Sequence, residues 1–128
     1  MLEHIQSRLL DIGSVIATPK SSNPEKALKV AFDSTNVELL ETWIDKLDSE
    51  LPPLKNFILP SGGEAASRLH LARSICRRAE RGIARQYEVG DVDEHSYKFM
   101  NRLSDFLFVA ARAVAHREKH PEVIWKKN

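Results

Sequence analysis

Apolar residues recur at three- and four-residue spacings in four segments, the rhythm of helices that bury one face. The first segment lines up Leu2, Ile5, Leu9, Ile12 and Ile16, and the second Val37, Leu40, Ile44, Leu47 and Leu51. The third, from about Glu64 to Glu88, repeats Ala65, Leu69, Ala72, Cys76, Ala79 and Ile83. The fourth, from about Asp93 to Lys119, uses Phe99, Leu103, Phe106, Ala110 and Val114. Thr35 or Asn36 is expected to cap the second helix, Pro52 and Pro53 to stop it, and Gly90 and Asp91 to end the third. Around Thr18 to Pro24 the chain is a loop rich in Pro, Ser and Asn. Residues 25–35 read either as a short extended piece or as a poorly formed turn. Residues 54–63 form a constrained loop that ends in Ser61-Gly62-Gly63. Four long helices without strand alternation predict an all-α fold, an antiparallel helix bundle, with residues 1–128 as one domain.

Composition narrows the function classes. A net charge of +1 over 128 residues gives no general attraction to nucleic acid or to an anionic membrane. Any anion must therefore be recognised by local clusters of Arg and Lys. No apolar run is long enough to span a bilayer. Cys76 is the single cysteine, so an internal disulfide is excluded and a reducing compartment is the simpler expectation. It lies on the apolar stripe and reads as a small core residue.

The third helix carries Arg68, Arg73, Arg77, Arg78, Arg81 and Arg85. At 100° per residue, His70, Arg73, Arg77 and Glu80 share a face bordering the apolar stripe, while Arg78 and Arg85 point further out. Partly desolvated arginines at a core edge suit a phosphate or carboxylate. The same pattern also fits a solvated face with Arg–Glu pairs. On the fourth helix Asn101, Asp105, Phe108 and Arg112 fall on one stripe nearly opposite the apolar one. That mixture suits contact with a ligand or another subunit, or a surface face with one stray aromatic. Phe57 is either a core residue pinning its loop or a wall against a flat apolar ligand. His116 and His120 have metal-ligand spacing without a third ligand nearby and read as a solvated helix end. No Walker loop or dinucleotide fingerprint is present.

Three runs together carry a family resemblance: Leu51-Pro-Pro-Leu-Lys-Asn-Phe-Ile-Leu-Pro-Ser-Gly-Gly63, the His70–Glu80 run HLARSICRRAE, and Asn101-Arg-Leu-Ser-Asp105-Phe-Leu-Phe. With Ile12-Gly-Ser-Val-Ile-Ala-Thr18, they resemble the PduO-type cob(I)alamin (corrinoid) adenosyltransferases, the animal mitochondrial enzyme included. The resemblance covers almost the whole chain. It implies a homotrimer of five-helix bundles with active sites between subunits, this chain supplying four of the helices. It also implies transfer of the 5′-deoxyadenosyl group of ATP to the cobalt of cob(I)alamin, with ATP and cobalamin as substrates, Mg²⁺ as companion ion and triphosphate released. Phe57 matches the Phe that packs by the lower face of the corrin, and Asp105 a corrinoid-side residue. Arg77, Asn101 and Arg78 match nucleotide contacts, Arg77 lying on the phosphates. Arg73 matches an interface Arg that pairs with an acid, and Glu80 a supporting residue.

The family's Thr-Gly-Asp loop and the first helix after it have no counterpart in the 128 residues. The chain is therefore expected to be N-terminally incomplete, with any targeting segment upstream. The alternative reading is a non-catalytic module that oligomerises, or holds corrinoid without processing ATP. The implied compartment is the mitochondrial matrix for a eukaryotic source and the cytoplasm otherwise. A cobalamin reductase and an acceptor mutase are the implied protein partners, with no nucleic acid and no membrane.

Overall fold

A computed structural model describes residues 1–128 and contains five helices. Four are long: α1 (Leu2–Ile16), α3 (Thr35–Asp48), α4 (Glu64–Glu88) and α5 (Glu94–Arg117). The fifth, α2 (Pro24–Lys29), has only six residues and falls in the stretch that the sequence left between extended chain and turn. Its signals are local. Asn23 accepts a hydrogen bond from the Lys26 amide, and Pro24 occupies the first helical position, where its missing N–H costs nothing. A helix this short has no apolar periodicity to read.

The long helices follow the expected boundaries closely. α4 spans Glu64–Glu88, as expected from the pattern. The start of α3 differs in chemistry. The residue before it, Ser34, makes no side-chain cap bond. Instead Asp33 accepts from the Thr35 amide at 2.9 Å, and that bond, with the Thr35 hydroxyl, holds the Asp33 carboxyl below its ordinary range. Neither Thr35 nor Asn36 is the cap. At the head of α5, Asp93 accepts from the Ser96 amide at 2.8 Å and from the buried Ser96 hydroxyl at 2.7 Å.

α5 is the central element and packs against both α4 and α3. Twelve of its residues are buried, among them Phe99, Leu103 and Phe106. They meet Val37, Leu40 and Leu47 of α3, Cys76 and Ile83 of α4, and Ile5, Ile12 and Val15 of α1 in one apolar core. The α1 stripe is narrower than its periodicity implies: Leu2 is 54% exposed and Leu9 37%. α1 lies at the side of the bundle, where His4 stands 3.2 Å from Asn36 and packs edge-on against Trp43 of α3. Only the residues on that line are covered. Ala79 of α4 is likewise exposed. No helix is long and apolar enough to cross a membrane.

Candidate functional site

Two groups of candidate residues lie at different levels of the bundle. The first is on the α4–α5 surface. Asn101 donates to Glu80 at 3.2 Å across the two helices. Arg102 donates to Asn101 at 3.0 Å, to Glu41 of α3 at 3.0 Å and to Asp105 at 3.5 Å. Glu80 is thus tied directly to Asn101, and Asp105 to Asn101 through Arg102, which Glu41 also holds; helical spacing singled out neither Arg102 nor Glu41. Arg102 was legible only as one more surface charge, because its partner on α3 is 61 residues away in sequence. Asn101 and Arg102 also border an open groove of about 570 Å³ that continues past Lys98, Tyr87 and Tyr97. Arg77 and Arg78 stand exposed on α4.

Deeper on the same helices, Phe108 joins His70 and Arg73. The Arg73 guanidinium lies 5.3 Å from the Phe108 ring centroid, a cation–π distance. The His70 ring meets the same phenyl edge-on at 5.9 Å. His70 is buried, and that burial, reinforced by the Arg73 charge, lowers its pKa from the ordinary value of 6.5. The Arg73 Nε is buried with no hydrogen-bond partner. A buried guanidinium donor without an acceptor is costly and marks a place where an acceptor fits. Nearby, the Cys76 thiol is buried, reaches the Met100 carbonyl at 3.3 Å and is pushed up to about 11, chiefly by burial. It is an inert core group.

The second group centres on Phe57, which is 78% exposed. Its loop does not stand alone. Ile58 and Ile124 form an antiparallel bridge. The Leu59 amide donates to the Val123 carbonyl and the Trp125 amide to the Phe57 carbonyl, each at 2.8 Å. The Phe57 and Trp125 rings then meet edge-on, centroids 6.2 Å apart. The loop enters α4 through Gly62 and Gly63, at φ +95° and +93°, where an L side chain is strained. Trp125 was missed from the sequence because a single bridge has no alternation to betray it.

The fourth-helix stripe of Asn101, Asp105, Phe108 and Arg112 does not form one face toward solvent. Asn101 and Asp105 are exposed, Phe108 is half-buried, and Arg112 is only 5% exposed. The structure joins Asp105 to Asn101 through Arg102 and leaves Phe57 elsewhere. Asn101 lies roughly 16 Å along α5 from Arg112, by helical rise, and Arg112 is one of the α5 residues beside the Phe57 loop. No three His, Cys, Asp or Glu side chains converge to hold a metal. A Mg²⁺ ion that accompanies ATP is held largely by phosphate oxygens and water and does not require such a cluster.

Residues 1–114 match the family described as Cobalamin adenosyltransferase. The chain belongs to that family. As a cobalamin adenosyltransferase family member it is 51% identical over 128 residues to the corrinoid adenosyltransferase MMAB of Bos taurus, covering 99% of this chain and 53% of that protein. It is 40% identical over 124 residues to the corrinoid adenosyltransferase of Bacillus subtilis, covering 97% and 62%. Among solved structures, a variant PduO-type ATP:corrinoid adenosyltransferase from Lactobacillus reuteri complexed with cobalamin and ATP superposes with a TM-score of 0.89 at 37% identity. That match covers 98% of this chain and 68% of the other. The chain spans about half the length of the animal relatives it matches. The all-α bundle is the fold of this adenosyltransferase family, as the sequence implied.

Proposed function

We propose that this chain carries part or all of an adenosyltransferase site that moves the 5′-deoxyadenosyl group of ATP onto the cobalt of cob(I)alamin. One observation carries the reading: almost the whole chain superposes on a relative complexed with cobalamin and ATP. In the reaction, cobalt(I) donates an electron pair to the ribose C5′ and a Co–C bond forms. The C5′–O bond breaks, and its electron pair leaves with triphosphate. Cobalt ends formally as cobalt(III), so no external oxidant or reductant enters the step.

The residues divide this work. Arg77 and Arg78 are proposed to face the phosphates, where fixed guanidinium groups stabilise charge growing on the leaving oxygens. Asn101, oriented by Glu80 and Arg102, would contact the nucleotide. Phe57 would cover the lower corrin face, excluding water from a strongly reducing metal centre. Asp105 is proposed on the corrinoid side and Arg73 at a subunit contact, a role its unpartnered Nε supports. Because Phe57 and Asn101 stand at different levels of one bundle, a site completed between subunits of a homotrimer is the arrangement we favour. The mitochondrial matrix is the proposed compartment for a eukaryotic source, with a cobalamin reductase and an acceptor mutase as partners.

The test is an anaerobic assay with cob(I)alamin and Mg-ATP that follows adenosylcobalamin by absorbance. Turnover is expected, with Arg77→Lys raising the KM for ATP about tenfold or more through loss of the fork geometry. Cobalamin binding without turnover would instead support a module that holds corrinoid and does not process ATP. Absence of both binding and turnover would sink both readings.

A further inference from the structure

One buried charge on α5 bonds to both the start of the Phe57 loop and the C-terminal segment. Arg112 projects from α5 and is 5% exposed. Its guanidinium donates to the Pro52 carbonyl at 3.2 Å, where the loop begins. Through Nε it also donates to Glu122 at 3.4 Å, just before the C-terminal segment pairs with the loop. Side-chain exposures of 6% and 24% make this the most buried ion pair in the chain. The other pairs, such as Arg117–Glu50, are open to solvent and contribute little.

A buried guanidinium is tolerated only when its donors are matched, and here the matching groups come from two segments 70 residues apart. The ribbon they form is too small to hold its own position, since an isolated pair of strands is marginal in water. Ser61 adds a cross-tie: its hydroxyl accepts from the Val123 amide at 2.9 Å and donates to the Leu59 carbonyl at 2.9 Å. The outcome is an aromatic pair, Phe57 and Trp125, held outward on a support anchored to the central helix.

We propose that Arg112, through Glu122 and the Pro52 carbonyl, is the positioning residue that sets the Phe57–Trp125 pair, and that the pair as a unit forms the wall against the flat face of the corrinoid. The second half rests on the adenosyltransferase reading; the first does not. Arg112 touches neither substrate and acts only through the ribbon. Its planar fork spans two acceptors at once, which a lysine ammonium on a flexible stem does not reproduce.

The experiment uses the whole chain in a Trp43→Phe background, which leaves Trp125 as the single tryptophan. Arg112→Met keeps the stem and volume, and Glu122→Gln keeps an acceptor for Nε. Without any ligand, Arg112→Met should red-shift Trp125 emission and raise its quenching by iodide, while far-UV helicity is retained. Glu122→Gln should give a smaller change in the same direction. With hydroxocobalamin, Trp125 emission in the Arg112-containing chain should be quenched. The Kd should rise about tenfold in Arg112→Met, the scale of one lost charge-assisted hydrogen bond, with ATP affinity unchanged.

Unchanged emission and iodide quenching in folded Arg112→Met would overturn the positioning role. Altered emission with unchanged cobalamin affinity, or equal losses for ATP and cobalamin, would overturn the link to the corrinoid wall. If the Arg112-containing chain itself fails to bind cobalamin, the adenosyltransferase reading falls and the corrinoid wall with it; the ligand-free emission still decides the positioning role. Should Arg112→Met not fold, Glu122→Gln supplies the same two readouts.

Discussion

Replacing Gly62 by alanine isolates the cost of seating the Phe57 loop against the bundle. Gly62 sits at φ +95°, and a Cβ added there lies 2.6 Å from the Ala115 Cβ and 3.3 Å from the Ala66 Cβ. Both neighbours are essentially inaccessible to solvent and are fixed directly to the backbones of α5 and α4, so no flexible side chain can swing aside. The positive φ costs an L residue roughly 1–2 kcal/mol, and overpacking a rigid site adds about 1–3 kcal/mol. The expected destabilisation is about 2–5 kcal/mol, a large share of a typical total of roughly 5–15 kcal/mol. Gly82 supplies the control with the opposite sign. It lies inside α4, and nothing stands within 4 Å of the position a methyl group would take there. Gly82→Ala should therefore stabilise by about 0.5–1 kcal/mol. Urea unfolding followed by far-UV circular dichroism measures both. A Gly62→Ala midpoint equal to the parent's, or a Gly82→Ala midpoint below it, would refute the steric reasoning.

Two further predictions concern the helix termini and pH. Asp93→Ala removes the cap on Ser96 and leaves its buried hydroxyl without the carboxylate acceptor; a loss of about 1–3 kcal/mol is expected in urea unfolding, and most of it should return in Asp93→Asn. His70 is buried with its pKa lowered from 6.5, by desolvation first and the Arg73 charge second. The folded state then binds fewer protons than the unfolded state just below that value. The stability His70 contributes is therefore present above about pH 6.5 and is lost as pH falls toward its folded pKa. Thermal melts from pH 7.5 down to 5.5 should show a decline that His70→Gln flattens; parallel declines in the two proteins would count against it.

Much of the fold was readable from the chain alone. The periodic run from Glu64 to Glu88, bounded by Gly63 and Gly90, announced α4, because amphipathic spacing and glycine breaks act locally. The same holds for the start of α5 near Asp93 and for Cys76 as a core residue. Family membership was also legible, since the His70–Glu80 and Asn101–Phe108 runs are contiguous strings. What local pattern could not supply was solvation. Arg112 read as part of a surface stripe, yet it is buried because Pro52 and Glu122 close over it, 60 and 10 residues away. Leu2 and Leu9 read as core and are exposed, because α1 is covered along one line only. Trp125 met Phe57 through a bridge between segments 68 residues apart. Sequence periodicity determines which residues of a helix share a face. Which face meets protein, which meets water and which distant segments share one charge depend on contacts made only when the bundle closes.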